Sequence, residues 1–243
     1  MMLVLSAYYR GDVEPVNRDH FDNYLADVHM PDVAKWPLLR GLRLMKNDGQ
    51  AYLGETPQYY QCIELTYDNE DDLRASLASG ERNTTKKLST RDRASFKDIF
   101  NGEILHTIYK ATQVPVPNPG DASMTRCAYY MGDVAPEKEA WLDNFSLNVH
   151  LPDVANWPRL KGLRHLKRTG SDFIGAKPQY YHVYELSFAN QEAIDVSMPS
   201  EERKNTRRDA AKDRDPETGR FYGFHGEVHH TNYTIINFPV AGE

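Results

Sequence analysis

Cysteine is almost missing from this 243-residue chain. Only Cys62 and Cys127 are present, too few for the disulfide framework of a small secreted domain. They also stand at non-equivalent places in the internal repeat described below, so no disulfide is expected. No hydrophobic run approaches the ~20 residues of a membrane span. The N-terminal MMLVLSAYYRGD has an apolar run too short for a signal-peptide core and no basic residues ahead of it. Positive charge is not in excess: the formal net charge is −6, whereas a nucleic-acid binder normally shows a clearly basic domain or stripe. A glycine-rich phosphate loop, a dinucleotide fingerprint and a defensible Ser-His-Asp order are lacking too. These absences imply a cytoplasmic globular protein with neither nucleic-acid nor membrane partners. They leave acid–base chemistry on a small molecule, with no cofactor and no metal expected.

What the chain does contain is a duplication. His29 to Leu42 reads HMPDVAKWPLLRGL, and His150 to Leu163 reads HLPDVANWPRLKGL, 121 residues further on. The same offset relates Tyr8-Tyr9 to Tyr129-Tyr130, Pro57-Gln58-Tyr59-Tyr60 to Pro178-Gln179-Tyr180-Tyr181, and Glu64-Leu65 to Glu185-Leu186. Near the end the offset becomes 124, as between His106-Thr107 and His230-Thr231, so three residues are added around Asp215 to Gly219. Two copies at this period do not suit a solenoid. The expected organisation is one domain over 1–114, a proline-rich linker over 115–124 and a second domain over 125–243.

Each copy carries the same succession of signals. In the first, Leu3 to Tyr9 reads as a strand ended by Arg10-Gly11-Asp12. Pro15 opens a helix with Phe21, Tyr24, Leu25 and Val28 on one face, expected to end near His29 because Pro31 disfavours helical geometry in the residue before it. Gly41 to Met45 reads as a second strand and Gln58 to Tyr67 as a third. Glu70 to Asp98 reads as a helical region broken near Ser79-Gly80, and Glu103 to Val114 as the last strand. The order βαββαβ is the split βαβ plan of ferredoxin-like domains. Two helices cover one face of such a sheet, and the other face needs a partner. Tyr59, Ile63 and Leu65 are expected on one side and Tyr60 and Cys62 on the other, so neither face suits water. The predicted fold is α+β: two ferredoxin-like domains packed sheet to sheet within one chain as a barrel-like pseudo-dimer.

The sequence Tyr24, His29, Pro31, Pro37, Gly41, Leu42 resembles the EthD domain, and so does its copy Trp141, His150, Pro152, Pro158, Gly162, Leu163. Three residues separate Pro37 from Gly41 where the family usually has Pro-Gly-Leu directly. The resemblance covers nearly the whole chain and implies a tandem EthD protein of the dimeric α+β barrel superfamily. Relatives include methylmuconolactone isomerases, fungal polyketide decarboxylases and proteins of ether or aromatic degradation.

Candidate site residues follow from chemistry and from differences between the copies. His29 and His150, each in the last turn of a helix, are placed where the macrodipole stabilises an imidazolium, suited to a general acid or a cationic contact; the plain alternative is a histidine finishing its helix. The second copy has gained histidines: His165 for Leu44, His182 for Gln61, His225 for Asn101 and His229 for Leu105. His182 is expected on a strand face with Tyr180 and Tyr184, and His229 on one with Glu227, Thr231 and Tyr233. Catalysis is accordingly expected in the second half, through His150, His182 and His229, with His29 as the first-half counterpart. Tyr180, Tyr233, Arg164, His165 and Tyr59 are expected to bind substrate. Three imidazoles on adjacent strands could bind a divalent ion, but no HxH or HExxH spacing supports it. A buried Glu64 would need Arg43 or Arg164 as partner, most simply as a structural ion pair. The run Arg203, Lys204, Arg207, Arg208, Lys212 reads as a solvated helix face, or alternatively supplies an arginine that closes over an anion.

The functional expectation is an acid–base enzyme, a decarboxylase or isomerase, acting on a small carboxylated or phenolic compound of aromatic or polyketide metabolism. A non-catalytic carrier of such a compound is the alternative, and a metal- or haem-dependent oxygenase a third reading. Beyond that small molecule, a homodimer is the one partner left open.

Overall fold

The computed structural model describes residues 2–241 except 48, 50, 54, 56–58, 97–98, 171–179, 216–220 and 222. Pro57-Gln58, Pro178-Gln179 and most of the inserted segment therefore lie outside the described residues. The first half comprises β1 (Leu3–Val13), α1 (Arg18–Asn23), α2 (Met30–Val33), β2 (Gly41–Lys46), β3 (Gln61–Tyr67), α3 (Glu70–Ala78), α4 (Gly80–Phe96) and β4 (Phe100–Val114). The second comprises β5 (Met124–Val134), α5 (Pro136–Phe145), α6 (Leu151–Val154), β6 (Leu160–Arg168), β7 (His182–Phe188), α7 (Gln191–Ser197), α8 (Glu201–Ala210) and β8 (Phe224–Phe238). Both halves keep the expected order, and residues 115–123 join them.

The eight strands form one closed antiparallel barrel in the order β1-β3-β2-β8-β5-β7-β6-β4. The two sheets are thus joined at their edges as well as facing each other: β2 pairs with β8 and β4 with β6. Closure satisfies the backbone groups that two separate four-stranded sheets would leave exposed at four edges. Side chains alternate between the barrel interior and the helix-covered exterior. Tyr8, Cys62, Tyr109, Cys127, Tyr129 and Tyr233 point inward, where residues of both halves share one core. Leu5, Ile63 and Leu65 face outward under the first-half helices, as Ala128, Tyr184 and Leu186 do under the second-half helices.

Two local expectations are corrected. Tyr59 turns inward with Cys62, while Tyr60 packs outside with Ile63 and Leu65. The pleat is interrupted because β3 begins only at Gln61, and Tyr60 N–H bonds Tyr9 O at 2.9 Å from a bend. The same break separates Tyr180 from His182 and Tyr184: Tyr180 lies in the barrel core and the other two face the helices.

The helix bearing His29 also continues past it. A π-helical segment, Tyr24–His29, runs straight into α2, and Ser146–His150 runs into α6. A proline in a helix interior lacks the N–H for its i−4 carbonyl, and a one-residue π expansion carries the chain past Pro31 and Pro152 without a break. The added residue rotates the helix face, so Val28 and Val149 are exposed while Met30 and Leu151 are fully buried. Each α2-type turn is pinned to the long helix behind it by one tryptophan: Trp36 Nε1 donates to Thr85 Oγ1 at 3.0 Å, and Trp157 Nε1 to Thr206 Oγ1 at 3.0 Å.

Candidate functional site

Four of the five proposed substrate-binding side chains, Tyr59, Tyr180, Tyr233 and Arg164, face the barrel interior, and His229 shares the inner face of its strand with Tyr233, whereas His165 and His182 lie on the helix side. Tyr59 and Tyr180 hydrogen-bond to each other, Tyr129 OH donates to Tyr233 OH at 3.1 Å, and Tyr8 and Tyr109 pair at 3.1 Å. These six rings are buried, and burial raises the pKa of each phenol. Beside them Arg164 belongs to a four-membered ion cluster with the symmetry of the repeat. Arg43 Nε donates to Glu64 at 2.7 Å and its NH2 to Glu185 at 2.8 Å; Arg164 Nε donates to Glu185 at 2.6 Å and its NH2 to Glu64 at 2.7 Å. Both glutamate side chains are 1% exposed. They titrate as a unit. Burial opposes ionisation of Glu64, but the two guanidiniums outweigh it and hold its carboxyl at about 2. Burial and that neighbouring negative charge push Glu185 up.

The gained histidines do not form one cluster: His165 and His182 meet, and His229 stands apart from them. His165 Nε2 and His182 Nδ1 are 3.3 Å apart on the helix side of β6 and β7, both buried. His229 is on the opposite face of its strand from His230, with Nε2 3.1 Å from Glu227 Oε2. A three-imidazole metal site is therefore not assembled, and no group of three or more metal-ligating side chains occurs among the described residues. Burial drives His165 down to about 4, despite the nearby Asp143 carboxylate, and holds His182 well below the usual imidazole range with help from His165 and His150. Folding thus favours the neutral rings, so their contribution to stability is lost as pH falls from about 6.5 toward 4. Restoring the first-half residues, His165→Leu with His182→Gln, should flatten that acid loss, read as urea midpoints at pH 7 and pH 5. A double variant that weakens as steeply as the parent would acquit the pair.

A cavity of about 280 Å³ lies between the second-half sheet and its helices. His150, Tyr130, Tyr184 and Phe221 form its aromatic wall, and Arg126, Arg203, Arg207 and Arg214 its cationic one. His150 stacks on Phe145 at 6.0 Å and lies 5.4 Å from Phe221 and 5.8 Å from Tyr184. Its first-half counterpart His29 has Nδ1 bonded to Ser89 Oγ at 3.1 Å. Ala210 occupies the place of Ser89 in the second copy, and no hydrogen bond reaches the His150 ring among the described residues. Burial and then the Arg214 charge lower the His150 pKa to about 4. The expected imidazolium is thus corrected: His150 is not at a helix C-terminus, and its surroundings keep it neutral. Tyr184 OH is fixed by Ser146 Oγ at 2.7 Å, and burial holds this phenol protonated.

The first half completes the wall. Glu55, from the segment between β2 and β3, accepts from His230 N–H at 2.7 Å and from its Nδ1 at 2.9 Å. Burial opposes charge on Glu55, but the His230 contacts keep it ionised. Tyr52 of the same segment donates to Asp195 at 2.9 Å and lies under the Arg126 guanidinium at 5.2 Å. Sequence reasoning missed Arg126 and Glu55, whereas His230, as the copy of His106, was a candidate wall residue. For Arg126 the signal was available: it replaces Leu5 in an apolar strand of the repeat. For Glu55 there was none, because its contact spans 175 residues.

With these features in place, the architecture defines a barrel of the dimeric α+β type made by a single chain. Solved structures with that fold cover the whole molecule. An anthrone oxidase-like protein matches at TM-score 0.58 and 11% identity, covering 100% of this chain and 96% of its own. A candidate monooxygenase from Fusobacterium nucleatum matches at 0.56 and 8%, covering 99% and 98%. An ethyl tert-butyl ether D (EthD) family protein from Bacillus halodurans aligns with 43% of this chain over 96% of its own, at 24% identity and TM-score 0.32. No protein-family model matches the sequence. An alignment of 99 positions that covers 37% of the chain shows 31% identity to mouse (Mus musculus) kinetochore-associated protein 1, of which the chain spans 4%.

Proposed function

We propose that the chain is a tandem pair of EthD-like, ferredoxin-like units and that its second-half cavity is the active site of an acid–base enzyme for a small aromatic carboxylate or phenol. The observation that carries this reading is His150, a neutral imidazole without a hydrogen bond among the described residues, set between an aromatic wall and guanidiniums in one cavity. Neutral imidazole accepts a proton, and a bound anion beside it offsets the Arg214 charge and raises its basicity at the moment of use. Flat aromatic walls orient a ring, and guanidiniums bind its acidic group. In an isomerisation His150 removes a proton from one carbon and returns it to another. In a decarboxylation it takes the phenolic proton, the carbon–carbon bonding pair stays on the ring carbon as CO₂ departs, and the imidazolium protonates that carbon.

The fold neighbours named as anthrone oxidase-like and as a candidate monooxygenase set the second reading. Proton removal by His150 from an anthrone-like carbon acid yields the carbanion an oxygen-consuming reaction would begin from. Dioxygen uptake during turnover separates it from lyase or isomerase chemistry.

The site itself is tested by titrating benzoate, hydroxybenzoates and catechol into histidine-labelled protein. The His150 ring resonances should shift saturably while those of His29 stay fixed. Shifts confined to His29, or none with any of these compounds, would remove the assignment.

A further inference from the structure

Arg126 is a charge that the protein itself leaves incompletely neutralised. It is 4% exposed, and burial lowers its pKa. Among the described residues its one short hydrogen bond goes to a neutral group, Asn232 Oδ1, at 2.9 Å. The carboxylate paired with it among the described residues, Glu55, stands 3.9 Å away and spends both oxygens on His230. A buried guanidinium is costly without a close counter-ion, and this one lines the cavity. Across the same space are Arg203, which donates to the neutral Met198 carbonyl at 2.8 Å and rests on Trp157, and Arg207. Arg203 further lowers the Arg126 pKa and is itself lowered first by burial and then by Arg207, as for cations that face one another uncompensated. Among the described residues that line the cavity, Glu55 is the single carboxylate against these three guanidiniums and Arg214, so positive charge is in excess.

We propose that the ligand of this cavity is a dianionic aromatic acid, one acidic group held by Arg126 and a second by Arg203 and Arg207. The inference rests on the reading of the cavity as a site for aromatic acids and narrows it to those with two acidic groups. The repeat supports the asymmetry: Arg82 and Lys86 match Arg203 and Arg207, but Leu5 matches Arg126, so only the second half carries the deeper cation. Flat rings placed between two cationic ends would lie against Tyr130 and Tyr184 with one edge toward His150. The small cavity volume sits at the low end for ligand sites, which suits a single-ring diacid.

Calorimetry of the full chain with benzoate, phthalate, isophthalate and terephthalate tests it. At least one diacid should bind tenfold or more tightly than benzoate, with a preference that shrinks at high salt. Arg126→Leu, which installs the residue that the first half already carries, should bring that diacid down to the benzoate level. Arg126→Lys should retain part of the preference, and thermal melting checks that both variants fold. Equal binding of benzoate and every diacid would overturn the proposal and leave the aromatic-acid site standing. A diacid preference undiminished in folded Arg126→Leu would overturn the role of Arg126. No binding of any of the four would overturn this proposal and the site reading together.

Discussion

Alanine at Arg43 should destabilise the protein by about 3–5 kcal/mol, because removing one partner of a buried ion cluster leaves charge without compensation. For a chain of this size that corresponds to a fall in Tm of roughly 10 °C. The guanidinium bonds Glu64 in its own half and Glu185 in the other, so its loss strips a cation from both carboxylates at once. The cost arises from the broken pair rather than from any large favourable worth of the cluster. Replacing all four members with apolar residues of similar volume, Met for both arginines and Leu for both glutamates, should therefore be close to neutral or stabilising. Thermal and urea unfolding of the single and quadruple variants decide the matter. A single variant within about 1 kcal/mol of the parent would mean that water reaches the cluster and screens it.

Burial of this cluster was legible in the sequence as a need, since Glu64 on a strand between apolar neighbours demanded Arg43 or Arg164. That both arginines serve both glutamates was not, because the cross-connections run between residues 142 and 100 positions apart. The duplication and the strand order were legible because period-2 and period-3.6 patterns repeat at one offset. Two features failed for backbone reasons. Pro31 and Pro152 read as helix stops, whereas a π expansion takes the helix through them. Tyr59 and Tyr180 read by strict alternation, whereas the chain bends just before β3 and β7 begin and sends both into the barrel. His182 and His229 lie on the two faces of the barrel wall for a related reason: alternation tells which neighbours on one strand share a face, but not which side of the sheet that face becomes. The charges of Arg203 and Arg207 were visible, and their position over a cavity depends on how α8 packs.

Removing the His150 imidazole should have the largest functional effect. On whichever aromatic acid the cavity turns over, His150→Ala should lower kcat by a factor of about 10²–10⁴, the usual contribution of a positioned general base. His29→Ala should leave the rate nearly unchanged, because His29 is tied to Ser89 in the other half. The pH profile carries the sharper test. A base must be unprotonated to work, so activity is present above its pKa and lost as pH falls through it. With the free-enzyme pKa lowered to about 4 by burial and Arg214, kcat/KM should stay level from pH 8 down to about 5 and decline only near 4. The bound anion opposes Arg214, so the limb in kcat should sit at higher pH than the limb in kcat/KM. Arg214→Gln should move the kcat/KM limb upward, toward the ordinary imidazole value, without abolishing turnover. A limb already at 6.5 in the parent would mean that the ring is solvated in the free protein. Full activity in His150→Ala would assign proton transfer to another group of the cavity wall, such as Tyr184 or His230.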